Sequence, residues 1–181
     1  MNRLQKRRRE RELRPPTHLR DVSPDELFRR YAPYVARVAM TLLGRREDVE
    51  EAVQDVFLQA FPRLAQVRDF AAFGGWIATI TVRVAHRRLR KRRLLGFVGL
   101  DDGDYRELED PAAPPDQRAL LAQLYRVLDR LPTDQRIAWT LRHVEGEALD
   151  QVALSCGCSL ATAKRRIRAA QIALAAEVGH G

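Results

Sequence analysis

Apolar residues recur along most of the chain at intervals of three and four, the spacing that places them on one side of an α-helix. The first such run begins at Ser23, where Ser23 suits the N-cap, Pro24 the first helical position and Glu26 the third. It ends at Gly44, and Pro33 is expected to kink it because proline removes a backbone hydrogen bond. No stretch shows sustained period-two alternation, so the pattern predicts an all-α protein.

Two more helices complete a first unit. We expect one over residues 46–61, ended by Pro62, and another over residues 73–92, after a loop at residues 65–71. The inward positions of the third helix are Trp76, Ile77, Ile80 and Val84. The side of the second helix that lies off its apolar stripe carries Asp48, Glu51, Gln54, Asp55 and Leu58. The third helix ends in a run of cations, which suits the negative end of a helix dipole.

An acidic, proline-rich stretch over residues 96–115 is typical of a flexible linker, and a second helical unit follows over residues 116–178. Its first helix is predicted over residues 116–130, with an apolar side formed by Leu120, Leu121, Leu124, Val127 and Leu128. Thr133 is predicted to cap the next helix, which stops at Gly146. Residues 1–22 are basic and contain a Pro-Pro pair, so we expect a disordered tail there.

The end of the second unit has the pattern of a helix-turn-helix: a short helix over residues 149–156, a turn at Gly157 and a longer helix capped by Ser159. Its inward positions are Ala163, Ile167, Ala170 and Leu174. No acidic residue occurs between Ser159 and Ile172, whereas an ordinary solvated helix face mixes both signs. The face left outside is therefore predicted to enter a DNA major groove. The candidate DNA-contacting residues are Ser159, Ala161, Thr162, Lys164, Arg165, Arg168 and Gln171.

The net charge supports a polyanionic partner. The chain of 181 residues carries a formal charge of +8, with 32 Lys and Arg against 24 Asp and Glu. No apolar run approaches the roughly 18–20 residues that cross a membrane, and no signal peptide is expected. Cys156 and Cys158 are too few for a disulfide framework or a complete metal site, and the four histidines are scattered. We expect a cytoplasmic protein with no cofactor, no metal, no membrane insertion and no catalysis of its own.

Six short segments carry a resemblance to a known family. Residues 27–31, 47–58 and 73–77 resemble region 2 of the extracytoplasmic-function group of RNA polymerase sigma factors. Residues 131–136, 144–146 and 161–167 are similar to region 4 of the same group. The resemblance covers about residues 23–95 and 116–177. It implies a region 2 helical bundle and a region 4 helix-turn-helix, joined by the linker.

The resemblance also implies partners and roles. The protein would bind core RNA polymerase and direct promoter-specific transcription initiation, with a probable anti-sigma factor as a further partner. Asp48, Glu51, Gln54, Asp55 and Leu58 would bind the clamp helices of the largest subunit, and region 4 would meet the flap of the second-largest. The residues implied at the −10 element are Arg68, Asp69, Phe70, Trp76, Thr79, Arg83 and Arg87. The helix after Ser159 would bind the −35 element.

Some choices stay open from the sequence. Trp76 suits either plain core packing or stacking on an unpaired base. Arg83 stands where family members usually carry Asn, and residues 161–166 differ from the usual Gly-Thr-Val-Lys-Ser-Arg, so the promoter sequence is not predicted. A stand-alone helix-turn-helix regulator is the alternative function, although it leaves the first unit without a role.

Overall fold

The structure is a computed structural model, and it describes residues 23–67, 73–97 and 115–178. The first unit contains α1 (Pro24–Leu43), α2 (Arg46–Ala60), a 3-10 helix (Phe61–Gln66) and α3 (Phe73–Phe97). The second unit contains α4 (Pro115–Arg130), α5 (Thr133–His143), α6 (Leu149–Ser155) and α7 (Leu160–Val178). The described residues form no strand, which confirms the predicted all-α class. The predicted tail and most of the predicted linker lie outside these ranges.

Helix α1 begins and ends as its sequence predicts. The backbone N–H of Glu26 donates to Oγ of Ser23 at 3.2 Å, so Ser23 is the N-cap. Gly44 follows the last turn with φ 73°, and its N–H donates to the carbonyl of Met40. This left-handed conformation favours glycine, which has no Cβ to clash with the backbone. The helix runs unbroken through Pro33.

The predicted boundaries after α2 and α3 need correction. The backbone coils into a 3-10 helix from Phe61 to Gln66, so the expected loop does not begin at Ala65. Helix α3 reaches Phe97, five residues beyond the predicted end at Arg92. Near this end, Arg92 donates to the carbonyl of Leu43 and to Asp48, which joins α3 to α1 and α2.

Two predictions for the second unit were wrong. Thr133 is the first helical residue of α5, after Pro132, and no side chain caps this helix. Leu120 was expected on the apolar side of α4 but is 68% exposed, while Tyr125, which the pattern omitted, is buried. The reason is that α4 turns Tyr125 toward the end of α1, a neighbour that no local pattern reveals.

The two units share one hydrophobic core. Helices α5 and α6 contact α3, and α5 also contacts α1. Ile137 and Ala138 of α5 and Val152 of α6 are buried in the same cluster as Val35 and Ile77 of the first unit. The described parts of both units therefore lie directly against each other rather than being joined by the linker alone.

Candidate nucleic-acid interface

Helix α7 presents its cations away from the core. Ala163 and Ala170 are fully buried and Leu174 nearly so, and Ile167 is half-buried, as the apolar spacing predicts. The opposite side is open to solvent at Ala161, Lys164, Arg165, Arg168 and Gln171. Because α5 and α6 hold the apolar side, these side chains project together into solvent. Guanidinium groups arranged in this way can donate to guanine edges or to phosphates.

The first turn of α7 is held by its cap. Oγ of Ser159 accepts from the backbone N–H of Thr162 at 3.2 Å and donates to Oγ1 of Thr162 at 2.9 Å. The predicted cap is therefore confirmed, and the two hydroxyl groups order the start of the helix. The turn before it contains Gly157, with φ 60°.

Two side chains of α7 form a hydrogen bond or an ion pair with α5. Gln171 accepts a hydrogen bond at 2.8 Å from Nε1 of Trp139, so its amide is already oriented by α5. Arg166 is half-buried and pairs with Asp134 at 2.6 Å. Arg166 therefore lies off the exposed cationic face, as its position next to Ile167 predicts.

The residues implied at the −10 element are only partly described. Arg68, Asp69 and Phe70 lie outside the described residues. On α3, Trp76 is half-buried with its ring 5.5 Å from the ring of Phe73, and Oγ1 of Thr79 donates to the carbonyl of Gly75 at 3.0 Å. Trp76 therefore combines core contact with a partly open face.

Arg83 and Arg87 lie one turn apart on α3 and are exposed. They line a cleft of about 420 Å³ between the first and second units. The facing wall includes Asp134 of α5 and Gly157 of the turn before α7. The structure thus places two candidate −10 residues opposite the second unit.

The carboxylates on the outer side of α2 are held in ion pairs that its sequence did not predict. Gln54 is exposed, and Leu58 is 70% exposed. Arg88 of α3 pairs with Glu51 at 2.7 Å and with Asp55 at 2.6 Å. Burial lowers the pKa of Arg88, but these two carboxylates raise it by more, so the net shift is upward. Arg92 also binds Asp48 at 2.9 Å. Three of the side chains assigned to this face are therefore paired with arginines.

Sequence reasoning missed these ion pairs because it assigned the cations of α3 to the helix dipole. The spacing of the charged residues along the two helices did indicate that they could pair. Arg88 and Arg92 are four residues apart, and Asp48, Glu51 and Asp55 recur at three and four, so each set forms a stripe along one side of its helix. Two neighbouring helices with stripes of opposite charge favour pairing.

The cysteines and the possible metal ligands do not form a second site among the described residues. The thiols of Cys156 and Cys158 are free and half-buried, and burial raises the pKa of Cys156 to about 12. Within the described ranges, no three His, Cys, Asp or Glu side chains are grouped as metal ligands would be. In those ranges there is also no helix both long and apolar enough to cross a membrane.

Comparison with known proteins assigns both units. The Sigma-70 region 2 family matches residues 27–94, and the Sigma-70 region 4 family matches residues 121–171. The chain is 30% identical over 156 residues to the ECF RNA polymerase sigma factor SigM of Mycobacterium tuberculosis, covering 86% of this chain and 77% of SigM. This chain belongs to the extracytoplasmic-function sigma factors. It is also 33% identical over 148 residues to SigE of Mycolicibacterium smegmatis, covering 79% of this chain but only 56% of SigE.

One solved sigma factor structure agrees with this membership, and a second solved structure has the same fold. The sigma factor RpoE from Bartonella quintana, in a co-crystal with the anti-sigma factor NepR, matches with a TM-score of 0.57 and 27% identity, covering 79% of this chain and 88% of that one. CnrH, in complex with the cytosolic domain of CnrY, shares the fold with a TM-score of 0.60 at 21% identity, covering 95% of each chain. The region 2 match assigns the first unit, which the stand-alone regulator interpretation left without a role.

Proposed function

We propose that this sigma factor binds core RNA polymerase through α2, the −10 element through α3 and the −35 element through α7. The observation that carries the proposal is the exposed cationic face of α7, opposite a buried apolar side, in a chain whose first unit matches region 2. A helix anchored on one side and cationic on the other suits a major groove. The protein would act in the cytoplasm and would have no catalytic activity of its own.

At the −35 element, Lys164, Arg165 and Arg168 are the side chains best placed to contact DNA. They are exposed, and no acidic residue lies between Ser159 and Ile172 to neutralise them. Ala161 and Thr162 lie near the capped end, where close approach to the groove is expected. Gln171 would contribute through the orientation that Trp139 imposes on its amide.

For core polymerase, Leu58 and Gln54 are the strongest candidates on α2. A leucine that is 70% exposed loses contact with water when a partner covers it, and that burial is favourable. Glu51 and Asp55 would add directional acceptors, since Arg88 holds their carboxylates in place. Asp48 would contribute less, because Arg92 binds it on a half-buried side of the helix.

At the −10 element, α3 would supply a stacking surface at Trp76 and phosphate contacts from Arg83 and Arg87. Thr79 lies between them, with its hydroxyl turned to the backbone. On sequence grounds Arg68, Asp69 and Phe70 would complete this site. The region 4 unit would meet the flap of the second-largest polymerase subunit. An anti-sigma factor is a further proposed partner, because the Bartonella relative was solved with one.

The test of the proposed function is selection of promoters by a reconstituted holoenzyme. Core polymerase would be mixed with the full chain and offered a library of randomised upstream DNA, and transcribed templates would be sequenced. The proposal expects two enriched elements, near −10 and −35, that are absent with core alone. Enrichment of DNA bound by the chain without polymerase, as a palindrome, would instead support a stand-alone regulator.

A further inference from the structure

The side chain of Gln171 lies between the exposed face of α7 and helix α5. Gln171 follows Lys164 by seven residues and Arg168 by three, so the three side chains share one side of α7. Its amide is nevertheless bonded to α5, because its Oε1 accepts from Nε1 of Trp139 at 2.8 Å. One end of this amide is therefore held by the protein, although the residue as a whole is exposed.

The chemistry of the two groups decides which end of the amide is held. The indole N–H of a tryptophan only donates, whereas a glutamine amide has an accepting carbonyl and a donating NH2 group. Trp139 can therefore bond to the carbonyl oxygen of Gln171 but not to its nitrogen. Reversing the amide would place two donors against each other and lose the hydrogen bond. Gln171 consequently turns its NH2 group away from Trp139.

The ring of Trp139 is itself held in place by its neighbours. It is half-buried and packs against an apolar cluster that contains Leu128, Leu131 and Leu174. The ring of His143, one turn later on α5, lies 5.1 Å from the ring of Trp139 between centroids. A donor that is packed in this way holds the amide in one orientation before any DNA is bound.

The NH2 group of Gln171 is left available for a partner outside the chain. Among the described residues, no acceptor is bonded to its Nε2. The surrounding surface is cationic, because Arg168 lies one turn before Gln171 on α7 and Lys164 lies two turns before it, both exposed. The partner that suits both the NH2 donors and this surface is an acceptor that carries negative charge.

The position of Gln171 along α7 favours a phosphate over a base. In a recognition helix, the residues near the N-terminus contact the base edges. Gln171 is twelve residues beyond the cap Ser159, which is about 18 Å along the helix at about 1.5 Å per residue. Because the major groove is only about 12 Å wide, a residue this far along the helix lies near the edge of the groove, where the phosphates are.

We propose that Trp139 is a positioning residue for the −35 element, which presents Gln171 as a hydrogen-bond donor to one DNA phosphate. Phosphate contacts fix the position of a protein on DNA without reading its sequence, so this contact helps to set the register of α7 in the groove. Trp139 acts through the amide and needs no DNA contact of its own. The inference deepens the proposed function and rests on it, since the phosphate belongs to the −35 element.

The first measurement tests the hydrogen bond in the free full-length chain. The sequence contains two tryptophans, Trp76 and Trp139, so an isotope-labelled chain gives two indole N–H signals by NMR. Trp139→Phe removes one of them and thereby assigns both. Gln171→Ala should shift the signal of Trp139 and leave that of Trp76 in place. If Gln171→Ala moves neither signal, the inference is overturned.

The second measurement is the affinity of the reconstituted holoenzyme for a panel of −35 variants. Gln171→Ala should lower affinity about tenfold, and evenly across the panel, because a hydrogen bond to phosphate is lost and no base contact changes. Gln171→Glu should lower it further, since it keeps an acceptor for Trp139 but turns a carboxylate oxygen toward the phosphate. Trp139→Phe keeps an aromatic ring and removes only the donor, so it should lower affinity by no more than Gln171→Ala.

The double variant of Trp139→Phe and Gln171→Ala separates orientation from packing. It should bind no more weakly than Gln171→Ala alone, because Trp139 acts only through the amide. Gln123→Ala, which truncates an exposed glutamine on α4 of the same unit, is the matched control and should leave affinity unchanged. Circular dichroism checks that each variant keeps its helix content.

Two results would overturn the inference while the proposed function stands. A changed preference at one position of the −35 element in Gln171→Ala would show that Gln171 reads a base. Losses that multiply in the double variant would show that Trp139 acts by packing alone. A wild-type holoenzyme that does not bind the −35 element would instead contradict the proposed function, and this inference with it, even if the NMR signals show the hydrogen bond.

Discussion

At the scale of single residues, two buried tyrosines differ in what their hydroxyl groups contact. The hydroxyl of Tyr31 has no hydrogen-bond partner among the described residues, and burial raises its pKa. The hydroxyl of Tyr125 donates to the carbonyl of Thr41 at 2.9 Å. A buried polar group without a partner costs about 1–3 kcal/mol, whereas a satisfied hydrogen bond contributes about 1 kcal/mol. The two residues therefore form a matched pair for measuring this difference.

We predict that Tyr31→Phe raises the free energy of unfolding by about 1 kcal/mol, because it removes an unpartnered hydroxyl and keeps the ring. The ring contact with Phe73, at 4.6 Å between centroids, remains. Tyr125→Phe should lower the free energy of unfolding by a similar amount, about 1 kcal/mol. Urea denaturation of both variants measures the two values. A loss of stability in Tyr31→Phe would show that its hydroxyl has a partner in solution.

The thiol of Cys156 gives a pH-dependent prediction. Burial raises its pKa from 9.0 to about 12, with Cys158 adding to the shift. The folded state therefore binds the thiol proton more tightly, so its contribution to stability is present below pH 9 and is lost as pH rises toward 12. At pH 8, iodoacetamide should therefore alkylate Cys156 much more slowly in the folded chain than in urea.

This rate should be measured by peptide mass spectrometry in a Cys158→Ser background, so that one thiol reports alone. The same background in urea provides the unfolded reference. A folded-state rate equal to the rate in urea would contradict burial of the Cys156 thiol.

At the scale of elements, the sequence predicted which helices form better than which sides they bury. Ser23, Gly44, Gly157 and Ser159 were placed correctly, because caps and left-handed turns depend on the residue itself. On α4, Leu128 is buried as predicted, but Leu120 is exposed and Tyr125, which packs on Gly44 just after α1, was missed. Local signals therefore located these four positions, although they misplaced the end of α3 and the cap of α5, and long-range contacts decide which side of a helix is buried.

In the candidate site, too, features within one helix were predicted and contacts between helices were not. The exposed face of α7 was predictable, since its apolar spacing and its missing acids both lie within one helix. The pairing of Arg88 with Glu51 and Asp55 was not predicted, because it joins residues 33 and 37 positions apart on two helices. This pairing also changes how α2 should be tested, since Asp55→Lys would repel Arg88 as well as alter a partner surface.

For α7, we predict that Arg165→Ala or Arg168→Ala weakens holoenzyme binding to its −35 element by about 1–3 kcal/mol if the residue contacts a guanine. Preference at one position of the element would then relax. A residue that contacts phosphate would instead weaken binding evenly and reduce the salt slope by about one. We expect at least one of the two to contact a base.

The measurement is holoenzyme affinity for a panel of −35 variants. Arg126→Ala, an exposed cation on α4, is the control for loss of charge within the same unit. If both α7 variants kept wild-type affinity and preference, this face of α7 would not enter the groove.

For α2, we predict that Gln54→Ala combined with Leu58→Ala weakens association with core polymerase by about 1–2 kcal/mol. Both side chains are exposed, so the fold should tolerate the change, while a covered leucine contributes about this much to an interface. Co-elution with core on gel filtration, at several sigma concentrations, measures the effect. Arg29→Ala on α1 serves as the control, and unchanged co-elution of the double variant would exclude this face.

At the scale of the whole molecule, the sequence predicted two units and a linker but not the contact between the units. That contact depends on Arg136 and the carbonyl of Leu42, which are 94 residues apart. Every residue carries a backbone carbonyl, so such an acceptor leaves no trace in the sequence. An arginine on the buried side of α5 is the nearest available hint, since a buried cation requires acceptors from somewhere.

Cleavage of the linker tests how strongly the units hold each other. The predicted linker, residues 96–115, is acidic and proline-rich, so limited proteolysis is expected to cut within it. A short flexible linker acts like an effective concentration of about 1 mM for the units that it joins. The two units of the intact chain are therefore mainly in contact only if the separated units associate with a dissociation constant below about 1 mM.

We predict that the two fragments associate in this range, because the interface buries Arg136 and shares one apolar core. Analytical ultracentrifugation of the cleaved protein, from tens to hundreds of micromolar, gives the dissociation constant. The buried contacts are screened little, so raising salt should weaken association only modestly. Fragments from the Arg37→Glu chain are the control and should associate more weakly, since their Glu145 faces a second carboxylate. If the wild-type fragments stay monomeric at all these concentrations, the two units are mainly apart in the intact chain.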